Sequence, residues 1–193
     1  MAKEVVAITG GASGLGKGFV AKFVADGYTV VFCDLNEEKG QAIADEYGAT
    51  FVKVDVTQAN EVEAFFDRIK RDHNRLDVVI NNAGVARGGH ATGDTPIDDF
   101  QLTNNVNTCG VFYVAKYGVK LMVDSGKGGH IVNLASTASS ESREGAMYEC
   151  VHDEQTRSRG PAEDNGVGVF SVRRLRQCNC ASPSRDRESL CQR

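Results

Sequence analysis

A glycine-rich turn between an apolar strand and a helix constrains the fold of this chain more than any other feature. Four apolar residues, Val5 to Ile8, run into the turn Thr9 to Gly16, and apolar residues then recur at helical spacing. Such a turn uses Gly10 for tightness, Gly14 for close approach of backbone to a pyrophosphate, and Gly16 for packing the helix on the strand. The new helix directs unpaired N–H groups at the phosphates. Doubly wound proteins without a dinucleotide also use glycine turns, so a dinucleotide site needs support from other residues of the chain.

An acidic residue stands where a dinucleotide site requires one. The segment Tyr28 to Cys33 predicts a second buried strand, and it ends at Asp34, about 20 residues beyond the glycines. A carboxylate there accepts the ribose hydroxyls of the adenosine half and repels a 2′-phosphate, which favours NAD over NADP. The alternative is that Asp34 caps the helix predicted for Asn36 to Tyr47. Lys17 and Arg87 flank the motifs as cations that could assist a phosphate.

Strands and helices alternate along the chain with short connections. The later elements are predicted at Thr50 to Asp55 (strand), Glu61 to Arg71 (helix), Leu76 to Ile80 (strand), Phe100 to Met122 (helix) and Ile131 to Ser136 (strand). This order predicts an α/β fold, a Rossmann-like doubly wound parallel sheet in three α/β/α layers. Ligands in such sheets bind at the carboxyl ends of the strands, where Gly10, Asp34, Asp55 and Asn82 all fall.

The composition excludes several classes of function. A net charge of −4 gives no reason to expect nucleic acid as a partner, and no apolar run reaches the ~18 residues of a membrane span. Met1 to Glu4 leads directly into the first strand without a signal peptide, so we expect a cytoplasmic protein. Its six cysteines are then expected to be free thiols.

Residues 4–148 resemble the N-terminal three quarters of a short-chain dehydrogenase/reductase. The motifs that carry the resemblance are Thr9-Gly-x-x-x-Gly-x-Gly16, Asp34, Asp55-Val-Thr57, Asn81-Asn-Ala-Gly84, Val106-Asn-x-x-Gly110, and Ile131-Val-Asn-Leu-Ala-Ser136 followed by Tyr148. The resemblance implies a sheet in the order 3-2-1-4-5 and an NAD-dependent interconversion of a secondary alcohol and a ketone. It also implies a small-molecule substrate and a homo-oligomer.

The resemblance assigns roles to individual residues. Tyr148 would exchange the proton of the substrate hydroxyl, Ser136 would polarise the substrate oxygen, and Asn107 would hold a water in a proton relay. No metal is implied. The cofactor-binding residues would be Gly10, Ser13, Gly14, Leu15, Gly16, Asp34, Asp55, Val56, Asn82, Ala83 and Gly84.

One expected residue is replaced. The family pairs its tyrosine with a lysine four residues on, which binds the nicotinamide ribose and lowers the tyrosine pKa, and here that position is His152. A phenol titrates near ~10 and a histidine near ~6.5, so without a permanent cation little phenolate forms at neutral pH. We therefore expect weak or no turnover. The alternative is a dinucleotide-binding module without catalysis.

The composition changes after Tyr148, which divides the chain into a NAD(P)-binding Rossmann domain (residues 1–148) and a divergent tail (149–193). The tail contains no lysine but eight of the thirteen arginines and four of the six cysteines. Without periodic apolar residues it is expected to be poorly ordered. Metal binding through Cys178, Cys180, Cys191 and His152, or RNA binding through the arginines, lacks the required cysteine spacing and basic patch.

A shift of the reading frame also explains the tail. From Glu163 onward the shifted codons can spell Lys-Thr-Met-Ala-Leu-Glu, and from Arg176 to Ser182 they can spell Val-Asn-Ala-Ile-Ala-Pro, as in the family's sixth helix and strand. In the frame as given, no strand is predicted after Tyr148, so the sheet is truncated after its fifth strand. That strand is expected to be an apolar edge unless the tail covers it, and the usual subunit contact becomes doubtful.

Overall fold

The computed structural model describes residues 3–87, 92–135 and 167–172. A 3-10 turn covers Thr92–Asp94 and a π-helical segment covers Asn105–Gly110. The remaining elements are β1 (Val5–Thr9), α1 (Gly14–Ala25), β2 (Thr29–Asp34), α2 (Glu37–Tyr47), β3 (Thr50–Lys53), α3 (Ala59–His73), β4 (Val78–Asn81), α4 (Ile97–Asn104), α5 (Val111–Asp124), β5 (Gly129–Leu134) and β6 (Val167–Val172).

The strands form one sheet in the order β3-β2-β1-β4-β5-β6. All pairings among β1 to β5 are parallel, and Val6 of β1 lies between Val30 of β2 and Val78 of β4. The reversal of strand order at β1 and β4 creates the crevice in which doubly wound sheets bind ligands. The predicted fold class and the order 3-2-1-4-5 are confirmed.

Both faces of the sheet are covered by helices, as the predicted three layers require. Alternate residues of β1 point to opposite faces, so Val5 and Ala7 belong to one core cluster and Val6 and Ile8 to the other. The first cluster is completed by apolar residues of α3 and α5, and the second by those of α1 and α2. Because β1 is buried on both faces, it is apolar from Val5 to Ile8 and polar only at its last residue, Thr9, in contrast to the half-polar strands of an exposed sheet.

The single helix predicted from Phe100 to Met122 is wrong in one respect, because α4 and α5 are separated by the π-helical segment. The segment contains Asn107, which is 4% exposed. Its last residue, Gly110, packs against the loop after β3, where an added Cβ would lie 3.1 Å from Val56 Cγ2. A π-helical bulge inserts one extra residue and reorients the turn, which suits a helix that must present a polar side chain inward.

The tail contributes a strand that was not predicted. Residues of β6 pair antiparallel with the whole length of β5, with Gly129 opposite Val172 and Leu134 opposite Val167. The parallel sheet ends at β5, in agreement with the predicted truncation, but the edge of β5 is covered by backbone hydrogen bonding. The expectation that no strand follows Tyr148 is therefore wrong for this segment. Within the described ranges, no helix combines the length and apolarity needed to cross a membrane.

An aspartate at the amino end of β4 fastens the edge of the sheet opposite the crevice. Asp77 Oδ2 accepts hydrogen bonds from the Val5 backbone N–H (2.8 Å) and from Arg75 Nε (2.6 Å). The Asp77 N–H in turn donates to the Val5 carbonyl at 2.9 Å. This carboxylate therefore aligns the starts of β1 and β4 through partly buried, charge-assisted hydrogen bonds.

Substituting Asp77→Ala is expected to lower the free energy of unfolding by about 1–3 kcal/mol, because the Val5 N–H and the Arg75 guanidinium lose a common acceptor. Urea denaturation followed by circular dichroism measures the change. Asp67→Ala, which removes an exposed carboxylate from the middle of α3, is the matched control and is expected to have little effect. Equal effects of the two substitutions would contradict the role given to Asp77.

Candidate functional site: a dinucleotide cleft

The turn between β1 and α1 depends on glycine for two different reasons. Gly10 and Gly14 have φ values of +67° and +49°, in the left-handed region. At Gly16 the backbone is helical, but an added Cβ would overlap the Gly10 carbonyl oxygen and lie 2.6 Å from Asn82 Nδ2. Above Gly14, by contrast, an added Cβ would meet no heavy atom within 4 Å. The turn is thus packed tightly beneath and open above, as a cradle for a ligand requires.

The Asn82 carboxamide connects this turn to the loop after β4. Its Nδ2 donates to the carbonyl oxygens of Thr9 and Gly10, at 3.0 Å each. In the other direction, the Thr9 hydroxyl accepts from the backbone N–H groups of Asn82 (3.1 Å) and Ala83 (3.0 Å). Thr9 is fully buried, so these bonds satisfy polar groups that would otherwise be orphaned at the strand end.

Asp34 supports the turn from the side of β2. Its Oδ2 accepts from the Ala12 N–H at 3.0 Å, and its Oδ1 accepts from the Asn36 N–H at 3.0 Å. The cap of α2 is Asn36, whose side chain accepts from the Lys39 N–H, and the interpretation of Asp34 as the helix cap is therefore wrong. Asp34 lines the cleft with its carboxylate held by two backbone donors.

The loop after β3 is closed by a second aspartate. Asp55 Oδ1 accepts from the backbone N–H (2.9 Å) and hydroxyl (2.7 Å) of Thr57, forming a local turn. The Asp55 N–H donates to the Glu61 carboxylate at 2.8 Å. Val56 is nearly buried and contacts the π-helical segment at Gly110. Both Asp55 and Val56 line the cleft.

Asn107 fastens the loop after β4 from the opposite side. Its Oδ1 accepts from the Val85 N–H and its Nδ2 donates to the Val85 carbonyl, both at 2.9 Å. An added Cβ at Gly84 would lie 3.4 Å from Asn107 Oδ1, so the Asn107 side chain packs against this loop at van der Waals distance. Both polar ends of the carboxamide are thereby used within the protein.

These elements surround a cleft of about 390 Å³ at the carboxyl edge of the sheet. Ten of the eleven predicted cofactor-binding residues line it, namely Gly10, Ser13, Gly14, Leu15, Asp34, Asp55, Val56, Asn82, Ala83 and Gly84. The eleventh, Gly16, lies beneath the turn. The cleft is also lined by residues that the sequence analysis missed, namely Cys33, Leu35, Val54, Val85 and Val106. All but Val106 lie within two residues of a predicted site residue at the end of a strand. Proximity in the sequence could therefore have identified these four residues.

Two of the three predicted catalytic residues, Ser136 and Tyr148, lie outside the described residues, as does His152. Ser136 is two positions beyond the end of β5, whose carboxyl end lies at the same edge of the sheet as the cleft. The third, Asn107, borders the cleft through its bonds to Val85.

The ionisable side chains near the cleft include Lys17 and Cys33. Lys17, at the start of α1, is bound to Glu46 at the end of α2 (Nζ to Oε2, 3.0 Å) and lies over the Tyr47 ring. The hydrogen bond to Glu46 raises the pKa of Lys17. Burial raises the pKa of the Cys33 thiol, which therefore stays protonated. Among the described residues, no cluster of three metal-ligating side chains occurs.

Comparison with known proteins agrees with this geometry. The family model for short chain dehydrogenases matches residues 4–150. The chain is 35% identical over 141 residues to 3beta-hydroxysteroid dehydrogenase 2 of Eggerthella lenta, a match that covers 70% of this chain and 54% of that protein. It is 33% identical over 137 residues to the mitochondrial borneol dehydrogenase of Lavandula x intermedia, covering 70% and 52%. The chain thus spans about half the length of these relatives.

Solved structures share the fold. Serine dehydrogenase from Escherichia coli superposes with a TM-score of 0.74 at 25% identity, covering 80% of this chain and 71% of that one. The protein ElxO, solved with NADP bound, superposes with a TM-score of 0.73 at 28% identity, covering 81% and 65%.

Gly16→Ala is expected to lower the free energy of unfolding by about 1–3 kcal/mol, because its methyl group overlaps the Gly10 carbonyl and displaces the turn. Urea denaturation followed by circular dichroism measures the change. Gly18→Ala is the matched control, since it lies in the same helix with no heavy atom within 4 Å of an added Cβ. That substitution is expected to be neutral or stabilising by up to about 1 kcal/mol. A free energy of unfolding unchanged by Gly16→Ala would contradict the close approach of Gly16 to the turn.

Proposed function

Because the chain belongs to the short chain dehydrogenase family, we propose that it is an NAD-dependent oxidoreductase of this type, acting on a secondary alcohol or the corresponding ketone. One observation carries the proposal, namely the assembly of the glycine turn, Asp34 and the Asn82 loop around one cleft. The proposed setting is cytoplasmic, with a small-molecule substrate and without nucleic acid or membrane. Homo-oligomers, usual in the family, are doubtful for this chain.

The described residues fit a dinucleotide. The open space above Gly14 and the start of α1 suit a pyrophosphate, because unpaired N–H groups and the positive end of the helix dipole lie there. Apolar side chains on the β3 and α4 sides of the cleft, Val54, Val56 and Val106, suit the flat face of an adenine. Bound in this cleft, the cofactor would supply hydride transfer, while the protein supplies position and a proton route.

Three observations support NAD over NADP as the cofactor. The Asp34 carboxylate lines the cleft beside the ribose position and would repel a 2′-phosphate. Lys17, a candidate counter-charge, is engaged by Glu46. None of the described residues that line the cleft is a lysine or an arginine. The NADP complexes of structural neighbours concern those proteins, and the proposal rests on the charges of this chain.

The proton chemistry is proposed from the family motifs. Tyr148 would exchange a proton with the substrate oxygen, and Ser136 would donate a hydrogen bond to it. Asn107 would hold a water of the proton relay, because its carboxamide keeps one N–H and one oxygen lone pair beyond its two bonds to Val85. The phenol of Tyr148 lacks the usual lysine, since His152 stands at that position.

A second function, binding of the dinucleotide without turnover, is favoured by this replacement. The hydrogen bonds that shape the cleft join residues between Thr9 and Asn107, so the described part of the cleft is held together without the tyrosine or the lysine. Both functions include binding of the dinucleotide, and only the first includes turnover of a substrate.

Asp34→Asn is expected to reduce the preference for NAD⁺ over NADP⁺ by about tenfold, because it removes the repulsion of a 2′-phosphate while keeping one acceptor for the turn. Calorimetric titration of both cofactors measures the ratio. Asp45→Asn, which removes an exposed carboxylate from α2, is the control and is expected to leave the ratio unchanged. A ratio unaffected by Asp34→Asn would contradict the role of this carboxylate.

His152→Lys is expected to raise turnover by about tenfold or more over the parent chain if the oxidoreductase proposal is right, because a permanent cation favours the phenolate. Absorbance of NADH at steady state, with a panel of secondary alcohols, provides the measurement. Tyr148→Phe in the His152→Lys background should abolish the gain. Binding of NAD⁺ without turnover in both chains would instead favour the non-catalytic module.

A further inference from the structure

The two halves of the cleft differ in charge. The carboxylates that line it, Asp34 and Asp55, follow β2 and β3, on one side of the crossover at β1. In the proposed function this side holds the adenosine half of the dinucleotide. The reacting half, and with it the substrate, must then lie on the other side, over the carboxyl ends of β4 and β5.

Arg87 stands on the loop that leaves β4, on this reacting side. Two residues before it, Val85 lines the cleft and is fixed through both its N–H and its carbonyl by Asn107. Two residues of extended chain span at most about 7 Å, so the Arg87 backbone is held close to the rim of the cleft. The bonds of Asn107 to Val85 therefore limit how far the Arg87 backbone can lie from the cleft.

Arg87 also differs from the other described arginines in its partners. Arg68 and Arg71 contact Asp72, and Arg75 contacts Asp77 and Glu4. The Arg87 side chain is exposed and forms no ion pair with any carboxylate of the described residues. A guanidinium is always charged, and its donors match the geometry of a carboxylate.

We propose that Arg87 determines substrate specificity by binding a carboxylate group of the substrate, so that the substrates are hydroxy acids and the corresponding oxo acids. This inference rests on the proposed function, because it needs the reacting half of the cleft to lie over β4 and β5. A 2′-phosphate would lie beside Asp34, on the other half, and the pyrophosphate lies at the start of α1. Arg87 is thus located for an anion of the substrate and not for one of the cofactor.

The test uses the full chain saturated with NAD⁺, titrated calorimetrically with 2- and 3-hydroxybutyrate and with their methyl esters. At least one acid is expected to bind about two- to fivefold more tightly than its neutral ester, the range for an exposed guanidinium–carboxylate pair. Arg87→Met should remove this difference, and Arg87→Lys should retain part of it. Lys127→Met, which removes an exposed charge just before β5 at the opposite edge of the sheet, should retain it fully.

Three results would overturn the inference while leaving the proposed function intact: binding of neither acid, equal affinity for acids and esters in the parent chain, or a preference unchanged by Arg87→Met. A loss of NAD⁺ affinity in Arg87→Met would overturn it also, since Arg87 would then bind the cofactor. Failure of the parent chain to bind NAD⁺ would refute the proposed function and, with it, the assignment of Arg87.

Discussion

The Asn82 carboxamide is the interaction on which the cleft depends. At the end of β1, the Asn82 side chain donates hydrogen bonds to the carbonyl oxygens of Thr9 and Gly10. The Thr9 hydroxyl accepts two hydrogen bonds from the backbone N–H groups of Asn82 and Ala83 in the loop after β4. Each buried polar group would cost free energy if left unpaired, so the two loops are held in one relative position. The close packing at Gly16 is possible only because that position is fixed.

A second carboxamide repeats this arrangement on the other side of the β4 loop. Asn107 bonds to the Val85 backbone as a neighbouring strand residue would, with one donor and one acceptor. The π-helical segment directs the Asn107 side chain toward Val85. In a regular helix from α4 to α5, without the extra residue of the bulge, this side chain would point in a different direction around the helix axis. The loop from Asn82 to Val85 is consequently clamped at both ends, and the residues between them form one wall of the cleft.

The sequence predicted the parallel sheet and the location of the cleft because both depend on local patterns. Apolar strands alternate with amphipathic helices, and the carboxyl-end rule then brings Gly10, Asp34 and Asn82 together. The π-helical segment was not predicted, because it shifts the apolar spacing of a continuous helix by only one residue, which is too small a change to be recognised in the pattern. Asp34 was considered as an alternative cap of α2, whereas the cap is Asn36, because both are good capping residues and they lie two positions apart. Strand β6 escaped because its pairing depends on the distant edge of β5 and not on its own periodicity.

Binding and chemistry are carried by different parts of this chain. The hydrogen bonds that shape the cleft join residues between Thr9 and Asn107, whereas the proposed proton donor, Tyr148, immediately precedes the point at which the composition changes. A change in the tail, whether by a shifted reading frame or by divergence, therefore alters position 152, where the family has its lysine. It removes none of these hydrogen bonds. Coverage of β5 by β6 works in the same direction, because it supplies hydrogen-bond partners to the edge that the usual parallel neighbour would occupy. The fold and its cleft are thus expected to form independently of the proposed loss of the lysine.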